Sequence, residues 1–346
     1  MNNFIYENRT KVYFGQGCVK EFLACLVRDA GNIMLAYGQG SVKRNGIYDE
    51  VLNILMKEGK HVTEFPGIMP NPTYQKVMEG ARLAREEKTE MILGVIVTTA
   101  GTGSECNGAA VITNEEQKVK TGHDYPKCNP AFALMDPAYT FSVPGGQMVS
   151  GAFDSLSHMM ETYFSEPDEQ NVSDEISEAL MRSVIKNIRQ AVRDPKDYTV
   201  RSNLLWSSAM SENRLIKLGK RCDFACHLME HQLSAYTGCS HSQGMSVLQP
   251  VYYRHIYRDG LDKFARFARN VWMIHEEGRN REELAEAGID ALADLIRETG
   301  LPARLRDIGI KGQGQLKEIA DSCHYSPGAY RKLEAEEILE IFRECF

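Results

Sequence analysis

MILGVIVTTAGTGSE, residues 91–105, is a continuous apolar and β-branched run that breaks abruptly into a glycine-rich turn. A run of this length bounded by turn residues reads as a strand buried on both faces, as in parallel sheets. Residues 91–99 are therefore expected to form one strand, closed by Ala100-Gly101-Thr102-Gly103-Ser104-Glu105. Upstream the same texture repeats. Residues 32–37 (NIMLAY) form a short strand that ends in Gly38-Gln39-Gly40-Ser41, a helix follows over 47–60, and residues 62–65 form another strand. Pro70-Asn71-Pro72, with Thr73, then signals the start of a helix over 74–88. Residues 131–135 (AFALM) give a further strand, closed by Asp136-Pro137. Strands alternating with amphipathic helices predict a parallel sheet with crossover connections. Beyond a turn-rich SVPGG at 142–146, apolar residues recur at helical spacing over 148–164, 173–192, 200–210, 224–236, 245–257, 261–272 and 282–298. The expectation is two domains, an α/β domain over 1–143 and an all-α domain over 144–346.

Composition narrows the partners. With 43% hydrophobic and 25% charged residues, the chain has ordinary globular usage and enough length for two cores. A net charge of −7 leaves no basic stripe to neutralise a nucleic-acid backbone. The start, MNNFIYENRTKVYFGQG, lacks the cationic and apolar regions of a secretory signal, and no apolar stretch reaches the ~20 residues of a membrane span. Nine scattered cysteines, an odd number with no framework spacing, point to reduced thiols and a cytoplasmic protein. Cys222 and Cys226 lie four apart in a helical stretch and read as buried thiols without a catalytic role.

The chemistry concentrates in two segments. In GAFDSLSHMMETY, Asp154 and His158 stand at i and i+4, which on a helix places their Cβ atoms ~5–6 Å apart on one face. In ACHLMEHQLSAYTGCSH, His227 and His231 repeat that spacing, Gly238 ends the helix, and His241 follows. A single such pair is more often a surface hydrogen bond or a satisfied core histidine. Three histidines within fifteen residues, joined by a carboxylate, favour a first-row divalent ion such as Fe(II) or Zn(II). Spacing alone does not choose between His231 and its neighbours as ligands.

These motifs, together with VTTAGTGSE and the turn LMDPAYTFSVP, resemble the iron-containing alcohol dehydrogenase family, closest to its NADPH-dependent butanol dehydrogenase and aldehyde reductase branch. The similarity runs from the N-terminus to about residue 330. It implies a Rossmann-like, dinucleotide-binding α/β domain and an all-α metal-binding domain, with a homodimer as the family's habit. Carried over position by position, the resemblance places the metal ligands at Asp154, His158, His227 and His241. His231 matches a histidine near the metal that is not a ligand, and is the candidate for relaying a proton to the substrate oxygen. NAD-binding domains usually place an acidic residue after the second strand to take the ribose hydroxyl. Here the matched position holds Gly38, Gly40 and Ser41, then Lys43, a small and cationic corner that suits the 2′-phosphate of NADP(H). The resemblance also sets Asn71, Thr98, Thr99, Thr102 and Lys120 along the cofactor.

At one point the chain departs from the family pattern. Between Val95 and Ile96 the family carries a GGGS loop, a helix and a return to the next strand, roughly 30 residues or more for such a βα unit. Here MILGV runs straight into IVTTAGTGSE. If the chain is contiguous, it lacks the glycine loop and helix N-terminus that hold the diphosphate. One strand is then lost from the sheet, apolar surface is left uncovered, and dinucleotide affinity is weak. If a family-like segment belongs there in the native protein, NADPH binding is normal; the intact flanking pattern favours this second case. None of the expected metal ligands is touched either way. The function expected is interconversion of small primary alcohols and aldehydes by an NADP(H)-linked, metal-dependent oxidoreductase. The rivals are a metal-binding homologue with a degenerate cofactor site, and a zinc-dependent relative of the glycerol dehydrogenase or dehydroquinate synthase kind.

Overall fold

The apolar runs become the strands of one unit, and the 3.6-residue patterns become the helices of another. A computed structural model of the chain describes residues 1–90, 93–324 and 328–346. The α/β unit comprises Asn8–Thr99 and Ser104–Val143; the helical unit comprises Met1–Glu7, Ala100–Gly103 and Pro144–Phe346.

The α/β unit contains β1 (Lys11–Phe14), α1 (Cys18–Leu26), β2 (Asn32–Ala36), α2 (Ser41–Arg44), α3 (Ile47–Lys57), β3 (His61–Phe65), α4 (Tyr74–Glu86), β4 (Gly94–Ile96), β5 (Ala109–Asn114), β6 (Val119–Asp124) and β7 (Phe132–Met135). Apolar residues spaced i, i+4 build its core: Val19 and Leu23 on α1, and Ile47, Val51 and Leu55 on α3, pack with Leu134 of β7. All four residues of β7 are buried, as befits a strand paired on both sides by β1 and β4.

The single parallel sheet expected from the sequence is, among the described residues, two parallel pieces and a hairpin: β1-β7-β4, β2-β3, and antiparallel β5-β6. The division falls at the departure from the family pattern. Val95 and Ile96 are consecutive residues of β4, opposite Ala133 and Leu134. Just upstream, the Glu90 amide donates to the Asn32 carbonyl at 3.1 Å, and its carboxylate accepts from the Asn32 amide at 2.9 Å. By residue 93 the partner has changed, the Ala131 amide donating to the Leu93 carbonyl at 2.7 Å. The run expected to be one strand over 91–99 is, among the described residues, a strand only over Gly94–Ile96, beside β7; Met91 and Ile92 lie outside the described residues. Ile33, Met34 and Leu35 of β2 are only half-buried and Leu93 is 52% exposed. Gly94 is required at the crossover, because a Cβ there would stand 2.1 Å from the Phe132 ring.

The β5-β6 hairpin was not anticipated. It holds the loop before α4, the Thr113 amide donating to the Pro72 carbonyl at 2.9 Å. Between β4 and β5 lies Glu105, 4% exposed, whose Oε1 has no hydrogen-bond partner among the described residues. Burial pushes its carboxyl up to about 7. The folded form therefore holds its proton through a window, pH ~4.5 to ~7, in which the unfolded form has lost it, so stability falls as pH rises through that window. The full cost, about 3 kcal/mol as an order of magnitude, is present above pH 7. Urea midpoints for Glu105→Gln should match the parent at pH 5 and exceed it at pH 8; equal midpoints at both would refute the effect.

The helical unit contains α5 (Gly145–Tyr163), α6 (Val172–Arg193), α7 (Tyr198–Glu212), α8 (Ala225–Thr237), α9 (His241–Ile256), α10 (Leu261–Asn270), α11 (Arg281–Thr299), α12 (Leu316–Asp321) and α13 (Ala335–Glu344). The turn expected over 142–146 is shorter than that, because Gly145 and Gly146 already belong to the first turn of α5 behind Pro144. From Met148 onward α5 is buried almost throughout, which makes it the central helix of this unit. An aromatic cluster closes its C-terminal end, with Phe164 stacked on Phe264 at 3.9 Å and edge-on to Phe267 at 5.1 Å. Residues 100–103 pack into this unit. The Gly101 amide donates to Ser208 Oγ at 2.7 Å, Ser155 Oγ donates to the Gly101 carbonyl at 2.9 Å, and a Cβ on Gly151 would meet the Ala100 oxygen at 2.1 Å. Among the described residues no helix is long and apolar enough to cross a membrane.

Candidate metal centre

Three helices of the helical unit deliver the side chains. On α5, Asp154, His158 and Glu161 follow one another at i, i+4 and i+7, a single face. On α8, His227, Glu230 and His231 do the same at i, i+3 and i+4. Gly238 ends α8 with φ at 69°, a conformation glycine adopts without strain, and His241 opens α9 three residues later.

Asp154, His227 and His241 each offer a donor atom within 4.8 Å of the others. His241 Nε2 lies 3.5 Å from Asp154 Oδ1. Glu230, His231 and His241 form a second such group, so His241 belongs to both. The Nδ1 atoms of the two key histidines are held by buried carboxylates: His227 by Glu161 and His241 by Glu230. Glu161 also accepts from the Cys226 amide at 2.8 Å. With Nδ1 engaged, His227 is left with Nε2, which is buried and has no hydrogen-bond partner among the described residues. An unpartnered imidazole nitrogen in a buried site is costly unless something satisfies it, and a carboxylate on the far nitrogen is how metal-ligating histidines are oriented. The donor set present therefore fits a divalent metal ion.

His158, the remaining residue of the expected set, lies beside this group rather than in it. Its ring stacks on that of His227, centroids 4.7 Å apart and planes at 19°, and its Nδ1 is likewise buried without a partner. The His231 ring stands 5.4 Å from His241 and edge-on to His227 at 6.3 Å. Burial draws the His227 imidazole well below its usual range, helped by nearby His241, and burial also lowers His158. Both are thus neutral near pH 7, the form a metal requires. Burial pushes Glu161 well above the usual carboxylate range; a cation on the Nε2 side of His227 would favour its carboxylate form instead. Glu161 and Glu230 were not singled out from the sequence. Their signal was their spacing, one turn beyond His158 and one turn beyond His227.

The residues expected along the cofactor lie in the α/β unit, apart from Thr102, which falls in the Ala100–Gly103 segment of the helical unit. Gly38, Gly40 and Ser41 lead from β2 into α2, Gly40 with φ at 101°. Asn71 sits in the loop before Thr73, whose side chain caps α4. Thr98 is half-buried and Thr99 exposed beyond β4, while Lys120 is buried on β6. The structure adds a residue at Lys43. The Glu64 carboxylate, from the end of β3, lies 3.2 Å from Lys43 Nζ, which also sits 4.1 Å from the Tyr48 ring centroid. The Tyr37 hydroxyl donates to the same carboxylate and, with Tyr48 and Lys43, holds it down to about 2. An acidic residue absent after β2 in the sequence is thus supplied in space by the parallel neighbour strand.

Comparison with known proteins agrees with this arrangement. The C-terminal profile of the Fe-containing alcohol dehydrogenase family matches residues 148–346. The iron-containing alcohol dehydrogenase profile matches residues 9–95 and 93–137, two blocks that part where the sequence departs from the family pattern. The NADH-dependent butanol dehydrogenase A of Clostridium acetobutylicum is 32% identical over 391 positions, covering all of both chains. Those 391 positions against 346 residues leave at least 45 with no counterpart here. The NADPH-dependent aldehyde reductase YqhD of Escherichia coli is 29% identical over 90% of each chain. Among solved structures, NADH-dependent butanol dehydrogenase A from Thermotoga maritima superposes with a TM-score of 0.93 at 31% identity, covering 100% of this chain and 99% of that one.

Proposed function

The chain belongs to the iron-containing alcohol dehydrogenase family, and from that premise we propose that it is a metal-dependent, NADP(H)-linked oxidoreductase interconverting small primary alcohols and aldehydes. The observation that carries the proposal is the convergence of Asp154, His227 and His241, with each imidazole oriented by a buried glutamate. These three, with His158 beside them, would hold Fe(II), the ion in the family's name, or Zn(II), which the same donors suit. A divalent ion there supplies Lewis-acid polarisation of a carbonyl, and the nicotinamide supplies the hydride. The rest falls to the chain's own groups. Glu161 and Glu230 fix the tautomers of His227 and His241 by accepting at Nδ1, leaving Nε2 facing inward. His231, buried beside His241, delivers a proton to the substrate oxygen in reduction and takes it back in oxidation. The burial of the site keeps competing water away.

NADP(H) is favoured by Ser41 and by Lys43, whose ammonium can make charge-assisted bonds to a 2′-phosphate. Glu64 opposes this by occupying that ammonium, and the butanol dehydrogenase relatives are named for NADH. Glu64→Gln should therefore raise the NADPH/NADH ratio of kcat/KM about tenfold, about 1.4 kcal/mol, while Lys43→Ala lowers it. An unchanged ratio in both would remove this corner from cofactor choice.

A second reading has a specific observation behind it. The fused β4 leaves no glycine loop for the diphosphate, as in a metal-binding homologue whose cofactor site has degenerated. NADPH-dependent reduction of butanal by anaerobically purified protein, with Fe(II) or Zn(II) added, separates the two. Turnover at millimolar NADPH that a chelator abolishes supports the enzyme. Stoichiometric metal with no turnover sinks it in favour of the second reading.

A further inference from the structure

Between α6 and α10 lies a buried ionic network that the metal centre does not use. Asp174 takes Lys220 and Lys263, while Glu178 accepts from Arg266 Nε at 2.5 Å, the Tyr163 hydroxyl at 2.8 Å and Asn270 Nδ2 at 3.0 Å. Asp174, Glu178, Lys263 and Arg266 are all under a tenth exposed, and the Lys220 side chain is fully buried. Two carboxylates thus face three cations. The surplus of donors falls on Arg266, whose Nη1 and Nη2 are buried and have no hydrogen-bond partner among the described residues. A guanidinium carries five donors and stays charged, so leaving one end unpaired in a buried position is unfavourable unless an acceptor arrives from outside.

Arg266 lines a cavity of roughly 450 Å³ that Lys263, Arg269, Arg279, Asn280 and Arg281 also line. The three further arginines are loosely committed. Arg269 meets Glu276 at 2.8 Å and Arg281 meets Asp262 at 2.8 Å, both exposed pairs, and Arg279 donates to the His275 carbonyl at 2.7 Å. Exposed ion pairs of this kind contribute little and exchange readily for a better acceptor. Asp168, the other acidic residue on the wall, accepts from the Tyr330 hydroxyl at 2.9 Å. A planar guanidinium fork matches the oxygens of a tetrahedral dianion, two at a time.

We propose that this cavity is a binding site for a phosphate-class oxyanion, with Arg266 as its fixed donor and Arg269 and Arg279 closing on the ligand. The site lies wholly within the helical unit and is independent of the dinucleotide. Its volume admits a small phosphate ester as well as the free ion, and both offer the same oxygens. Isothermal titration of the metal-loaded protein with inorganic phosphate, at ionic strength matched with chloride, tests it. One saturable site per chain is expected, weakened about tenfold by Arg269→Ala and by Arg279→Ala. Arg266→Lys, which keeps the charge but not the fork, should abolish it while circular dichroism stays unchanged. Lys43→Ala, in the α/β unit, should leave it intact. Titration with glycerol 3-phosphate distinguishes sources: tighter binding than phosphate identifies an ester as the ligand, equal or weaker binding the free ion. No saturable heat overturns the proposal. So does binding that survives both Arg269→Ala and Arg279→Ala, or that Lys43→Ala removes.

Discussion

Alanine in place of His227 should strip the protein of stoichiometric metal. The substitution removes a donor whose Nε2 has no other partner and leaves Glu161 buried without its imidazole. His241→Ala should do the same, since its Nε2 faces Asp154. Loss of a direct ligand is expected to exceed the 10–100-fold drop typical when only an orienting partner is removed, which is the range expected for Glu161→Gln. His231→Ala should retain the metal and lose turnover. Metal content by elemental analysis after gel filtration reads all four variants. Were His231→Ala to lose the metal and His241→Ala to keep it, the group of Glu230 and His231 would be the site and the ligand set proposed here would be wrong.

The second large effect is in dinucleotide binding. A glycine loop before a helix N-terminus holds a diphosphate by several backbone amides, each hydrogen bond to a charged oxygen contributing about 1.5–3 kcal/mol. A chain that runs directly through Val95 and Ile96, as β4 does, would forgo two or more such bonds. That corresponds to a loss of about 3–6 kcal/mol, or a hundredfold to ten-thousandfold in affinity. NADPH should accordingly bind with a millimolar or weaker Kd by fluorescence titration, even with the metal in place. Inserting a GGGS-bearing βα unit between Val95 and Ile96 should tighten binding by at least a hundredfold. A low-micromolar Kd for the parent chain would show that other residues hold the diphosphate.

Much of this was legible in the sequence because it lies in local periodicity. The helices from α5 to α11 are where their i, i+3, i+4 patterns put them, and the metal side chains share faces because 154/158 and 227/231 are one turn apart. What was not legible depends on pairing between distant segments. Whether residues 91–99 form one strand depends on which neighbours pair with the chain here: Glu90 bonds to β2, whereas Leu93 and Gly94–Ile96 lie beside β7. Glu64 reaches Lys43 only because β3 lies parallel to β2 in a register that sets Leu35 opposite Glu64. Glu161 and Glu230 are ordinary helical glutamates by composition; their importance appears only once α5, α8 and α9 converge. Spacing did not choose between His231 and its neighbours as ligands; in the structure His231 groups with Glu230 and His241, while the His158 ring stacks on His227.

The way the chain is threaded bears on whether its halves are modules. The helical unit is assembled from three stretches, and the short one, Ala100–Gly103, arrives from the middle of the α/β sequence. A fragment cut at 143/144 would keep α5 and α7 but not Gly101, leaving Ser155 and Ser208 without the backbone groups they bond and a gap against Gly151. Recombination that swaps one half for a homologue's therefore meets a seam that is not at the domain boundary. The four residues 100–103 have to travel with the helices they pack on, not with the strand that carries them.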